Sequence, residues 1–143
     1  MIPNILAQRY ASKDLVQLFD PVNRIRLERK FWIEVLNLQK KYGFKIDENI
    51  IKDYIENTDK VDLDSIRRRE LITRHDVKAK IEEFNFLAGH ELIHIGMTSR
   101  DLTDNIELIQ IKKALQIMLT RTASVLVLLS ENIKKYKHVY IEG

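Results

Sequence analysis

SRDLTDNIELIQIKKALQIMLTRTASVLVLLSENIKKY, residues 99–136, contains neither glycine nor proline. Nothing in it interrupts a helix, and at about 1.5 Å per residue it makes a rod on the order of 50 Å long. Its first part is amphipathic, with Leu102, Ile106, Ile109 and Met118 at helical spacing. Its second part, Ala123-Ser124-Val125-Leu126-Val127-Leu128-Leu129, is apolar on every side. A helix of that kind must be buried on every side. The residues before it are too few to wrap the rod and also form their own core. The rod therefore asks for partners, either other copies of the subunit or further chain. The fold class this predicts is all-α.

Working outward, the rest of the chain carries helical punctuation and no sustained strand alternation. Ser12 caps a short helix over Lys13 to Phe19. Asp20-Pro21 is an N-cap followed by proline at the first helical position, where its missing N–H costs nothing. That helix carries Ile25, Trp32, Val35, Leu36 and Leu38, and Gly43 ends it. Asp47 opens another, with Ile50, Ile51, Tyr54 and Ile55 as its buried face. Asp62 or Asp64 opens a third, running through Ile66 to about Ile72. Asp76 opens a fourth, with Val77, Ile81, Phe84 and Leu87 on one stripe.

Composition narrows the function classes. The 143 residues are enough for one domain, and 31% charged residues keep it in water. Lys+Arg 24 against Asp+Glu 21 gives a formal charge of +3, too slight and too interleaved to indicate nucleic acid. The one dense basic run, Arg67-Arg68-Arg69, reads as a solvated helix face, though one of the three could serve an anionic substrate. There is no cysteine, which removes disulfides and thiol catalysis. Met1-Ile2-Pro3-Asn4 lacks the basic and apolar regions of a signal peptide. The continuous apolar stretch between Arg121 and Glu131 is far short of the ~20 residues a membrane helix needs. These features predict a cytoplasmic protein with neither a nucleic-acid nor a membrane partner.

Three segments could carry chemistry. His90-Glu91-Leu92-Ile93-His94 matches H-E-x-x-H, in which two histidines one helical turn apart hold zinc and the glutamate is a general base. Gly89 and Gly96 bracket it closely, so a helix there is doubtful, and Met97 stands where the extended motif has glycine. The expectation is therefore no metal. His94-Ile95-Gly96-Met97-Thr98-Ser99-Arg100-Asp101 is a polar loop feeding the start of the long helix. Free N–H groups and the dipole there suit a carboxylate or phosphate. The plainer reading is capping, with Ser99 as N-cap and Asp101 on the dipole. Arg74-His75-Asp76 offers a fixed charge, a group that titrates near neutrality, and a carboxylate that could orient it. Taken alone, it too reads as a cap beside a loop histidine.

Together the segments resemble the adenylosuccinate lyase family of the fumarase/aspartase superfamily. The resemblance rests on Arg9-Tyr10, Arg74-His75-Asp76 and His94-x-Gly-x-Thr-Ser-x-Asp ahead of a very long helix, in that order, and on the opening text Ile2 to Ser12. Carboxymuconate cycloisomerases share a similar loop, but Arg9-Tyr10 with Arg74-His75-Asp76 favours the lyases. The resemblance implies a β-elimination that splits fumarate from adenylosuccinate to leave AMP, and likewise from the succinylated aminoimidazole carboxamide ribotide, without cofactor. It implies that Arg9 and Tyr10 hold the nucleotide phosphate, and that Thr98 and Ser99 hold succinyl carboxylate oxygens. His75 would sit in the proton network with Arg74 and Asp76 beside it, and His94 would shape the loop. It further implies a lyase N-terminal domain over residues 1–97 and the start of a central helical bundle over 98–143. Subunits would associate through the long helix into a tetramer. In the family a second histidine motif supplies the acid and a later serine the base. The sequence stops at Glu142-Gly143, where the former would begin, so the chain is expected to be an inactive fragment. The other readings are a non-catalytic helical self-association module and, through His90 and His94, a zinc hydrolase.

Overall fold

A computed structural model describes residues 4–140 and 142. Met1, Ile2, Pro3 and Gly143 of the readings above lie outside the described residues. Those residues form seven helices and no strand: α1 (Ile5–Tyr10), α2 (Lys13–Leu18), α3 (Pro21–Lys41), α4 (Glu48–Glu56), α5 (Leu63–Thr73), α6 (Asp76–Ala88) and α7 (Ser99–Tyr136).

Short polar side chains start most of the helices. Ser12, Asp20, Asp47 and Asp62 each accept hydrogen bonds from first-turn N–H groups, and Pro21 follows Asp20 at the first helical position. Asp62, not Asp64, is the cap of α5. Two other starts differ from expectation. His75, not Asp76, caps α6, with its ring accepting from the Lys78 N–H. Thr98, not Ser99, caps α7. In both cases the side chain one residue earlier has the extended backbone a cap requires. Gly89 closes α6 at φ +75, a left-handed conformation glycine adopts without strain.

The core lies where α3, α4, α6 and the first turns of α7 meet. Trp32, Leu36, Tyr54, Phe84, Leu102 and Ile106 are almost wholly excluded from solvent. The Tyr54 ring meets Phe84 edge-on at 5.0 Å, a preferred aromatic geometry. α5 packs on α6, and a smaller cluster of Ile25, Ile66 and Ala79 fills the space beneath. The apolar face of α4 is narrower than the sequence suggested. Ile51 and Tyr54 are buried, but Ile55 is exposed because it lies at the edge of the stripe. Leu38 is exposed as well.

One feature of the core has no apolar signature. Arg29 and Glu83 are buried and paired with each other. Arg29 also donates to the carbonyls of Asn57 (2.7 Å) and Thr58 (3.0 Å), while Glu83 accepts from the Asp62 N–H. The pair ties the α4–α5 connection to α3 and α6.

α7 changes character along its length. Leu102, Ile106 and Gln110 are buried, and the Gln110 side-chain amide donates to the Leu18 carbonyl at 2.9 Å. From Met118 to Tyr136 every residue is exposed. By length and composition α7 could cross a membrane, with mean hydropathy 1.3 over its most apolar window and none of that window buried in the chain. This corrects the expectation that the apolar stretch is far too short. The unbroken run between Arg121 and Glu131 is short, but a window that tolerates a charge or two extends well beyond it.

Candidate functional site

Two of the three candidate segments lie at the ends of helices. α5 terminates in Arg74, whose φ of 53 is left-handed, and the chain turns into α6 through His75. The Thr73 hydroxyl donates to the His75 carbonyl at 3.1 Å, which tightens this corner. His75 Nδ1 lies 3.3 Å from the Lys78 N–H and accepts from it. A neutral His75 must therefore carry its proton on Nε2. Asp76 comes only to 3.8 Å of Nδ1, a charge contact rather than a hydrogen bond. The backbone cap, not Asp76, orients the ring.

The loop of residues 89–98 holds the second segment. His94 takes the left-handed conformation, φ 67, ahead of Gly96 at φ 76. Arg74 and His94 are the two non-glycine residues with positive φ among the described residues. Such conformations cost on the order of 1–3 kcal/mol each and persist only where packing over-determines them. For His94 the determinant is Trp32, whose indole N–H donates to Nδ1 at 3.0 Å, with the two rings edge-on. An indole N–H only donates, so neutral His94 carries its proton on Nε2. Trp32 was legible in the sequence as a core residue but not as the group that orients His94.

Burial holds the His94 pKa below the ordinary histidine value. The nearby Asp101 opposes the shift, and the charge of His75 reinforces it. The sign of the linkage follows. Between the lowered folded value and the ordinary value of about 6.5, the unfolded chain binds the proton that the folded chain refuses. Stability from His94 is full above about pH 6.5 and is lost as pH falls. His94→Asn keeps an acceptor at the Nδ1 position, tolerates left-handed backbone and does not titrate. Urea midpoints at pH 7.5 and 5.5 are expected to fall less in His94→Asn than in the wild type. Equal falls would remove His94 as the titrating group.

The H-E-x-x-H segment is not a helix. His90 Nε2 lies 2.7 Å from Asp53 of α4, while His94 turns to Trp32 of α3. The two rings are held by different elements, unlike paired zinc ligands on one helix face. Among the described residues no group of three His, Cys, Asp or Glu is placed to hold a metal.

At the start of α7, Thr98 and Asp101 form a reciprocal capping box. The Asp101 N–H donates to the Thr98 hydroxyl at 3.4 Å, and the Thr98 N–H donates to the Asp101 carboxylate at 2.7 Å. The Thr98 hydroxyl also donates to Asp101, at 3.1 Å. No partner for the N–H groups of Ser99 and Arg100 occurs among the described residues, which suits them to an anion.

The Arg9-Tyr10 pair stands apart. Arg9 and Tyr10 end α1 and are exposed, Tyr10 at 76%. Among the described residues no hydrogen bond or ion pair joins them to His75, His94 or Ser99. The basic run is engaged locally: Arg67 pairs with Asp64, and Arg69 with Glu82.

A helical chain with two left-handed non-glycine residues, two oriented histidines and a long, largely exposed apolar helix belongs to the all-α class. Comparison with known proteins identifies the lineage. The chain is 34% identical over 122 residues to an adenylosuccinate lyase of Schistosoma mansoni, covering 84% of this chain and 25% of that protein. It is 33% identical over 144 residues to one of Saccharomyces cerevisiae, covering 96% and 30%. A third, from Schizosaccharomyces pombe, is 30% identical over 140 residues, covering 94% and 29%. No protein-family profile matches the chain. The chain belongs to the adenylosuccinate lyase family. It spans roughly a quarter to a third of the length of these relatives.

Proposed function

We propose that residues 1–143 supply the nucleotide- and carboxylate-binding share of an adenylosuccinate lyase site. The reaction is β-elimination of fumarate from adenylosuccinate, leaving AMP, and from the succinylated aminoimidazole carboxamide ribotide. The observation that carries this reading is the coincidence of backbone strain with candidate chemistry. The two left-handed non-glycine residues are Arg74 and His94, and they flank the corner and the loop from which α6 and α7 start. Left-handed backbone at a non-glycine residue ahead of each of these two helix starts supports a binding role.

The geometry supports the following division of labour. Ser99, with its own N–H, the Arg100 N–H and its hydroxyl, seats a succinyl carboxylate at the positive end of α7. Thr98 contributes from the other side of the cap, where Asp101 already holds its hydroxyl. His75, half exposed and tied down at Nδ1, presents Nε2 outward for a hydrogen bond or proton transfer to substrate. Arg74 and Asp76 set the charge beside it. Arg9 and Tyr10 hold the nucleotide phosphate once α1 is joined by the rest of the site. Residues 1–97 act as the N-terminal lyase domain and 98–143 as the start of a central bundle, in a cytoplasmic tetramer. No cofactor enters this chemistry. The exposed apolar length of α7 also supports a second reading, a helical self-association module without catalysis.

Elimination needs proton transfer at both ends of the breaking bond. The second histidine motif and the serine that the family employs are not among these residues. The 143 residues alone are therefore expected to produce no fumarate from adenylosuccinate, and to do so once a polypeptide carrying the remainder of a lyase is added. In the reconstituted enzyme Arg9→Ala is expected to weaken AMP binding by roughly 1.5–3 kcal/mol, about tenfold to a hundredfold. The check follows fumarate spectroscopically and AMP by calorimetry. Turnover by the chain alone would show that acid and base both lie within it.

A further inference from the structure

The strongest unassigned feature is a line of charges running from α7 across α3 to the His75 corner. Glu28, on α3, is wholly buried. One of its carboxylate oxygens accepts from Lys80 Nζ of α6 at 2.9 Å and from Arg24 Nε at 3.4 Å. The other has no hydrogen-bond partner. Lys80, only 14% exposed, lies 3.8 Å from Asp76, which in turn contacts His75 at 3.8 Å. On the far side Arg24 pairs with Glu107 of α7 at 3.0 Å, two turns after Ser99. A buried carboxylate beside an ammonium is costly to form and costly to break, so it resists displacement.

We propose that Glu28 and Lys80 are positioning residues of the lyase site, holding the Asp76–His75 corner in place and setting its charge. The inference rests on the lyase reading for its functional meaning, but the coupling itself does not. The ammonium of Lys80 is shared between Glu28 and Asp76. Withdrawing it leaves the Asp76 carboxylate free to attract a proton onto His75. Withdrawing the Glu28 charge instead gives Lys80 to Asp76 alone and weakens that attraction. The two changes therefore act on His75 with opposite sign. The charged and titratable groups facing His75 are Arg74 before it, Asp76 and Lys80 on α6, and His94 from the loop ahead of α7. Of these, the variants alter Lys80 directly, and Asp76 only through it.

The test is an NMR titration of the histidine rings in the 143-residue chain. Lys80→Met is expected to move the His75 titration curve to higher pH, and Glu28→Gln to lower pH. Lys80→Arg, which keeps the charge, should leave it at the wild-type position. His90 and His138 serve as internal controls and should not move. Displacement in the same direction in both variants, or none, overturns the proposal; so does an equal displacement of the control histidines, which would mark a loss of structure. If Glu28→Gln fails to fold, Lys80→Met and Lys80→Arg still decide the matter. A second arm reconstitutes the lyase and reads kcat against KM. Lys80→Met should lower kcat about tenfold with little change in KM, and Lys80→Arg should restore it. A displaced His75 curve with no turnover by the reconstituted wild type would leave the coupling standing and sink the lyase reading instead.

Discussion

Replacing Arg29 with alanine is expected to cost about 3–5 kcal/mol of folding stability, the usual penalty for removing one partner of a buried ion pair. The side chain is excluded from solvent and holds three groups at once: the Glu83 carboxylate and the carbonyls of Asn57 and Thr58. Its guanidinium also lies over the Phe84 ring at 4.5 Å. Burial lowers the Arg29 pKa, while the charge and hydrogen bond of Glu83 oppose the shift. Arginine remains protonated regardless. Truncation leaves a buried carboxylate unpaired and two carbonyls without their donor. Against a typical total of about 5–15 kcal/mol, such a loss unfolds much of the population. Arg29→Lys should rescue little, because a single ammonium does not reproduce the planar fork. The double variant Arg29→Met with Glu83→Leu should recover part of the loss, since neither charge is then stranded although the two carbonyls still lack their donor. Urea denaturation followed by circular dichroism measures all four proteins. A loss in Arg29→Ala under about 1 kcal/mol would mean that the pair does not hold the α4–α5 connection.

The second large effect concerns assembly. The chain is expected to self-associate through the distal half of α7, and Val127→Lys to weaken that association by about 3 kcal/mol, more than a hundredfold in dissociation constant. Val125, Leu126, Val127, Leu128 and Leu129 are each more than half exposed, on every side of the helix. A turn of helix with no polar face loses apolar area to a partner whichever way it is rotated. A lysine in the resulting seam is desolvated without a counter-charge. Because Val127 is exposed and lies outside the core, the substitution should leave the thermal stability of the core near that of the wild type. Sedimentation velocity across a concentration series reads the association. A well-folded monomer at high concentration would show that the apolar surface is satisfied in some other way.

Six of the seven helices among the described residues were legible because each signal is local; α1, capped by Asn4, was not among those expected. Ser12, Asp20, Asp47 and Asp62 bond to N–H groups two or three residues on, and Gly89 needs only its own φ. The bounds of α7 follow from the absence of anything to stop it. The caps of α6 and α7 were displaced by one residue for an equally local reason: histidine is a rare cap, and Thr98 competes with Ser99 for the same N–H groups. Geometry decided that contest in favour of the residue with extended backbone.

The lyase family and the order of its candidate residues are properties of this sequence by itself, since they rest on residue types and spacing along the chain. So is the demand for partners made by a helix that is apolar all round. Tertiary structure alone decided the rest. Which nitrogen of His94 carries the proton depends on Trp32. Trp32 lies far from His94 along the chain and beside it only after folding. The Arg29–Glu83, Arg24–Glu107 and Glu28–Lys80 pairs join residues whose separations carry no period. Their charges look like ordinary surface residues in the sequence. Burial turns them into structural elements, because an ion removed from water must be met by a specific partner, and only the packed chain determines which partner lies within reach.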